Sequence, residues 1–424
     1  MIRPSVALAL LAAATCSRRS DSSGAAPWRT VFDSTGDTIV ARTTGEVPER
    51  LIRQLVLEQR IGEAEGSDSV TFGQIYYVVP TDDNRTFVFD HQGPSIKLFD
   101  STGKLLRFVG RKGSGPGEFG EINGMDVLPN GRLVLWDATN GRVNVYDESG
   151  DFSGQWRVPL GGFFTSNALR ADRNGNIVLN LTIARREGVI GGESGYIRFN
   201  EQGTVRDTLR IPKWIDSTPQ IAGSRGNPAQ LMVTMPLPFA PQLVHLWSKP
   251  GALVSGPSAP YVAYLTNGAG KPLKIEREWK SIPVQPEEAN EWRARTEWQI
   301  RLSIPEWSWK GPAVPATKPA YSSILGSEDG ALWVAIHSDA VRVATVDSAA
   351  AAPGMPAMPP QYYREPNIYD VFAPNGVYFG RVQVDRGQEI MRMRAGRVWG
   401  VVTDSLGIAY VARWRVEPPF STVK

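Results

Sequence analysis

The 424-residue sequence is poor in the residues from which most metal and covalent sites are built: it has one cysteine and three histidines. A single cysteine excludes any internal disulfide and every Cys-rich zinc motif. The histidines, His91, His245 and His337, lie far apart in sequence, and no two share helical or hairpin ligand spacing. No internal apolar run approaches the ~20 residues needed to span a bilayer as a helix. Charge is nearly balanced, with 46 Lys plus Arg against 43 Asp plus Glu and no dense basic stripe, which argues against nucleic acid as a partner. No Gly-Lys-Ser/Thr follows the glycine-rich stretch at 110–117, so that stretch is not read as a phosphate loop, and no elbow context marks a nucleophilic serine.

What is abundant is turn-forming residues, 42 Gly and 32 Pro, the composition of many short strands. Residues 1–15 read as a signal peptide: Arg3 precedes the unbroken apolar and small-residue stretch Val6 to Ala14. Cys16 ends that stretch and resembles the lipidated cysteine of a bacterial lipobox, although Thr15 stands where Gly or Ala is usual. An ordinary cleaved signal with an incidental cysteine is the other reading. Residues 16–27 are then a polar tether, and the expected location is outside the cytoplasm, with the membrane reached through the lipid alone.

The chain repeats itself. Phe72-Gly73-Gln74-Ile75 returns as Phe119-Gly120-Glu121-Ile122, each after a Gly-rich loop. Phe32-Asp33-Ser34-Thr35-Gly36 returns identically at 99–103 and loosely at 146–150. Repeats of ~40–50 residues, each holding four strands, indicate propeller blades. The unit beginning at Gly124 shows them best: strands at 124–128, 132–136, 142–146 and 152–158 alternate with Asn-Gly and Asp-x-x-Gly turns that supply positive φ. With Phe108 to Phe119 between units, the segment 60–210 resembles NHL-repeat propellers.

These observations predict an all-β, six-bladed β-propeller over 28–424, with N- and C-terminal strands sharing the last blade. Blades are expected near 75–108, 122–158, 167–211, 241–283, 321–384 and 393–414. Strands 398–403 and 408–414 are expected as the inner pair of the sixth blade, completed by 28–42.

In an up-and-down blade, A–B and C–D turns share one face and B–C and D–A connections the other. The first set is short. Every long insertion, at 109–121, 184–194, 212–240, 284–320 and 344–366, falls in the second, making that face the candidate binding surface. Pro286-Glu287-Glu288 predicts a helix start, with Glu291/Arg295 and Glu297/Arg301 as i,i+4 pairs. Trp279, Trp292, Trp298, Trp307 and Trp309 surround that helix, either to fix it to the propeller or to face a ligand. Residues 349–360, rich in Ala, Pro and Met, read as a mobile loop.

The leading expectation is a binding or scaffolding module without a cofactor or catalytic metal. It uses Trp292, Trp298, Arg394 and His245 to hold a protein, peptide or carbohydrate. Glu121, Asn123, Asn167 and Ser322 are further candidates at the ends of inner strands. The alternative is a metal-dependent hydrolase or lyase at the channel mouth, since propellers resembling the NHL type include zinc amidating lyases and calcium lactonases. Neither ligand set maps onto this sequence.

Overall fold

A computed structural model describes residues 27–67, 69–93, 95–158, 169–185, 192–215, 218–224, 232–266, 270–344 and 356–420. The expected signal peptide, Cys16 and all but the last residue of the expected tether lie outside these residues, as do Asn167, parts of the 212–240 insertion and 345–355.

The repeats have a structural meaning. In blade two the strands Ile122–Val127, Leu133–Asp137, Arg142–Tyr146 and Phe152–Arg157 form one antiparallel sheet in chain order. Asp137 ends the second strand and accepts the N–H of Gly120 at 3.1 Å. Asp90 does the same in blade one for Gly73 and Gln74, both at 2.8 Å. A β-carbon on Gly120 would lie 2.7 Å from the Thr139 side chain, so the Phe-Gly motif lets the chain pass close under the blade. The second motif is an Asx-type turn: the Asp147 carboxylate accepts the N–H groups of Ser149 and Asp151 at 3.0 and 2.8 Å.

Blades one, three and five span 75–109, 169–210 and 321–384, and each is a four-stranded sheet. Six apolar clusters fill the gaps between neighbouring blades around the whole ring. The cluster between blades three and four is thin, built on Val178, Tyr196, Trp247 and Leu253. Blade three's inner strand, Leu169–Ala171, is correspondingly short.

The ring closes as a six-bladed propeller in which both chain ends contribute to the last blade, but with different strands from those expected. Blade six runs outward as Gln388–Arg394, Arg397–Thr403, Ala409–Glu417 and Gln54–Ile61. The closing strand is therefore 54–61, and 398–403 and 409–417 are second and third strands. Residues 28–42 do not pair with 398–414. The hairpin Arg29–Thr35/Thr38–Thr44 instead extends blade four, with Thr38–Thr44 parallel to Leu273–Arg277. Packing explains the choice. The Trp28 ring meets Tyr378 at 5.6 Å and Val47 is buried in the blade four–five cluster. Arg53 then bonds through its backbone to Arg381 and Gln383 of blade five. The N-terminal segment is thus a strap along the outer rims of blades four, five and six.

The three large insertions meet on one face. The hairpin Gln220–Ser224/Met232–Pro236 packs against the helix Pro286–Arg301, α1, with Ile221, Leu237, Ile300 and Ile304 as a small core. Pro286 opens α1 with Glu287 and Glu288 in its first turn, as predicted. Glu297 pairs with Arg301 at 3.2 Å. The Glu291/Arg295 pair does not form, because both side chains hold the neighbouring insertion. Glu291 accepts the N–H groups of Tyr362 and Tyr363, both at 2.9 Å, and Arg295 donates to the Pro359 carbonyl at 2.9 Å.

Candidate functional site

The six inner strands surround a cavity of about 500 Å³, which offers the volume of a small-molecule site. Every blade lends a wall residue: Tyr77, Met125, Arg170, His245, Ser323 and Arg392, in ring order. The wall carries two guanidinium groups and neither Asp nor Glu.

The Arg170 side chain makes no direct hydrogen bond or ion pair with the described residues, although its charge helps to hold the Asp126 carboxyl down. Arg392 is 9% exposed and donates to the Met125 and Met391 carbonyls at 3.1 and 3.0 Å. Its Nε has no hydrogen-bond acceptor, the Glu328 carboxylate standing 3.7 Å away. Burial and the like charge of Arg170 push the Arg392 guanidinium down.

Below Arg392 an ion network divides this cavity from another of about 640 Å³ on the short-turn face. Lys249 Nζ lies 3.2 Å from Asp126 and 3.5 Å from Glu328, and donates to the Val127 carbonyl at 2.8 Å. Burial raises the Asp126 carboxyl, but Lys249, Arg392, Arg170 and the Ala171 N–H outweigh it and hold it below the ordinary carboxylate range. The carboxylates thus lie in the floor, where Glu328 is 3.7 Å from Arg392 and Asp126 feels both guanidiniums, and the wall above carries only the cationic side of that network.

His245, from the inner strand Leu243–Trp247, joins this wall, with Nδ1 2.8 Å from the Tyr196 hydroxyl. Burial lowers its pKa, so the ring is neutral near pH 7. Either the tyrosine hydroxyl or the ring N–H can donate in this bond, and Nε2 is the ring nitrogen left for a guest. Ser322 and Gln242, at the upper ends of their strands, line both this cavity and a smaller one beneath the insertions.

The other expected site residues scatter. Trp292, 38% exposed, lines the smaller cavity. Trp298 donates to the Pro356 carbonyl at 2.9 Å, and Trp307 to the Ala222 carbonyl at 3.1 Å, so both tie insertions together. Arg394 lies at the opposite end of the ring, bonded to Asp82 at 2.8 Å and to the Thr81 carbonyl at 2.9 Å. It does not join His245 or Trp292. Glu121 stands 3.4 Å from His91, and neither Glu121 nor Asn123 lines the cavity wall. His337 pairs with Glu365 at 2.9 Å. Among the described residues no group of three or more His, Cys, Asp and Glu is placed to hold a metal ion. No helix among them is long and apolar enough to cross a membrane.

Arg170 and Arg392 were not singled out from the sequence. Arg170 stands two residues before the turn at 172–175, a signal of its inner-strand place; Arg392 lies in a strand the repeat pattern did not reveal.

One family profile agrees on the fold. The profile of a family described as "6-bladed beta-propeller" (DUF5128) matches residues 63–177. No curated protein matches the sequence. Among solved structures, a member of the duf4221 family from Bacteroides vulgatus is similar at 10% identity. That alignment has a TM-score of 0.49 and covers 86% of this chain and 99% of the other. A catalytically inactive virginiamycin B lyase from Staphylococcus aureus, with quinupristin, is similar at 10% identity and TM-score 0.40, covering 85% and 99%. A gluconolactonase from Xanthomonas campestris gives 9% identity and TM-score 0.36, covering 85% and 99%.

Proposed function

We propose that this chain is an exported binding module, anchored through a lipidated Cys16, that takes a small anionic ligand into the axial cavity. The carrying observation is the pair Arg170 and Arg392 on a wall without carboxylates. A guanidinium whose N–H donors are not all bonded in a partly desolvated cavity is costly, and a carboxylate or phosphate oxygen satisfies its planar fork. Entry is from the insertion-bearing face, because the Asp126–Lys249–Glu328 network occupies the other end. The NHL-type resemblance and the extracytoplasmic location belong to the same reading: a tethered propeller that presents its insertion face to a soluble ligand.

The test is a thermal-shift screen of carboxylates, phosphate and sulfate against neutral alcohols and sugars, on wild type and Arg170→Gln. Anions should raise the melting temperature of the wild type only, since a ligand at about 100 Kd adds ~2.7 kcal/mol of stability. Stabilisation by neutral compounds alone, or turnover of a lactone that ceases on chelation, contradicts the proposal. In cells, Cys16→Ser should abolish incorporation of labelled lipid; unchanged labelling contradicts the anchor.

A further inference from the structure

The insertions do more than roof the ring. Between α1, the 236–240 loop and blade five they enclose a cavity of about 250 Å³ walled by Leu237, Phe239, Trp292, Pro319 and Tyr321, with His337 at its margin. It adjoins the axial cavity at Gln242 and Ser322, which line both. Gln242 and His245 are three residues apart on one extended segment, about 10 Å along it. An apolar compartment and a cationic one therefore sit a short chain apart on the same passage.

The apolar compartment is built for a ring. Phe239 holds φ at 59°, a backbone conformation that a bulky side chain rarely adopts and that persists only where surroundings enforce it. There its ring stands edge-to-face to Trp292 at 5.9 Å and to His337 at 6.1 Å, beneath the Lys318 ammonium at 5.4 Å. Proline supplies further wall at 236, 238 and 319, so little side-chain entropy remains to be lost when the space is filled. A cavity of ~150 Å³ accepts benzene, so this one has room for a substituted ring. The exposed part of Trp292 offers that ring an aromatic surface of the kind Phe239 already uses.

We infer that the ligand is an aryl carboxylate, its aromatic ring against Trp292 and Phe239 and its carboxylate reaching down to Arg170. This rests on the anionic reading of the axial cavity and adds the ring compartment to it. Charge complementarity orients the guest, because Glu288 and Glu365 near the ring compartment are already bonded to Lys318. Arg170, whose side chain makes no direct ion pair with the described residues, remains the cation available for the carboxylate.

The experiment is isothermal titration of the full-length protein with 4-phenylbutyrate, with butyrate and with 4-phenylbutan-1-ol. Wild type should bind 4-phenylbutyrate at least about tenfold more tightly than either single-ended compound. Trp292→Ala should lower 4-phenylbutyrate affinity about tenfold and leave butyrate unchanged. Ser322→Trp, which fills the junction and removes no packing, should also lower 4-phenylbutyrate affinity about tenfold if Trp292→Ala folds poorly. If 4-phenylbutyrate binds no better than butyrate, or both variants keep wild-type affinity for it, the inference is overturned while Arg170-dependent butyrate binding still supports the cationic cavity. If the alcohol binds as tightly as the acid and Arg170→Gln changes neither, both readings fall together.

Discussion

Asp370 shows how much a single residue can carry in this ring. It is fully buried between blades four and five, and its carboxylate accepts the Tyr261 hydroxyl at 3.0 Å, Arg277 Nε at 2.8 Å, Arg381 Nε at 3.0 Å and the Tyr378 hydroxyl. Burial and the adjacent carboxylate push both tyrosine hydroxyls well up, so they remain donors. Asp370→Ala would strand the Arg277 guanidinium, 2% exposed, with no counter-charge. A loss of about 3–5 kcal/mol is expected in urea unfolding; a loss under 1 kcal/mol would show that water or a shifted side chain replaces the carboxylate. His245 gives a residue-scale pH effect. Burial lowers its folded pKa below the ordinary 6.5, so the folded state binds fewer protons than the unfolded state just below that pH. Stability is therefore full above pH 6.5 and falls as pH drops through it toward the lowered value. The urea midpoint of wild type should decline from pH 7.5 to 5.5 more steeply than that of His245→Gln; parallel declines would show that His245 is not the group responsible.

At the scale of elements, legibility followed the turns. Blade two could be read strand by strand because each turn carries Gly with Asn or Asp, and the observed strands fall within two residues of the expected ones. The inner strand of blade six was missed because its hairpin to 397–403 turns at Ala395 and Gly396, with φ of 49° and 76°. Alanine there gives no hint of the two positive φ angles that Asn-Gly would announce. Once that strand was missed, 398–403 and 408–414 shifted inward and 28–42 filled the vacancy. The alternation in 38–42 and in 54–61 is equally strand-like, and only the rim contacts of Trp28, Val47 and Arg53 separate them. The helix was legible from its proline and acids, whereas the partners of Glu291 and Arg295 were not, since pairing within a helix gains only a few tenths of a kcal/mol. A backbone acceptor on a neighbouring insertion easily outcompetes it. The strap makes a deletion test. Removing 27–44 should cost blade four its outer hairpin and lower the melting temperature by a few degrees with one cooperative transition. Removing 27–61 should open the ring and abolish cooperative unfolding. Equal behaviour of the two deletions would contradict closure by Gln54–Ile61.

For the molecule as a whole, six sheets are locked by six clusters, and the inner strands converge on an axis where side chains of every blade meet. The axis was where the sequence said least. An inward arginine such as Arg170 is indistinguishable by composition from an outward one such as Arg173, and blade register alone assigns it to the wall. His245 could be placed there because histidines are so few. The central claim is that this axis binds an anion through Arg170. Its most direct measurement is isothermal titration of butyrate into wild type, Arg170→Gln and Arg394→Gln. Arg394 serves as control because Asp82 already neutralises it on the far face. Wild type and Arg394→Gln should bind with equal affinity, and Arg170→Gln should bind at least tenfold more weakly. Equal binding by all three proteins, or by none, would contradict the account.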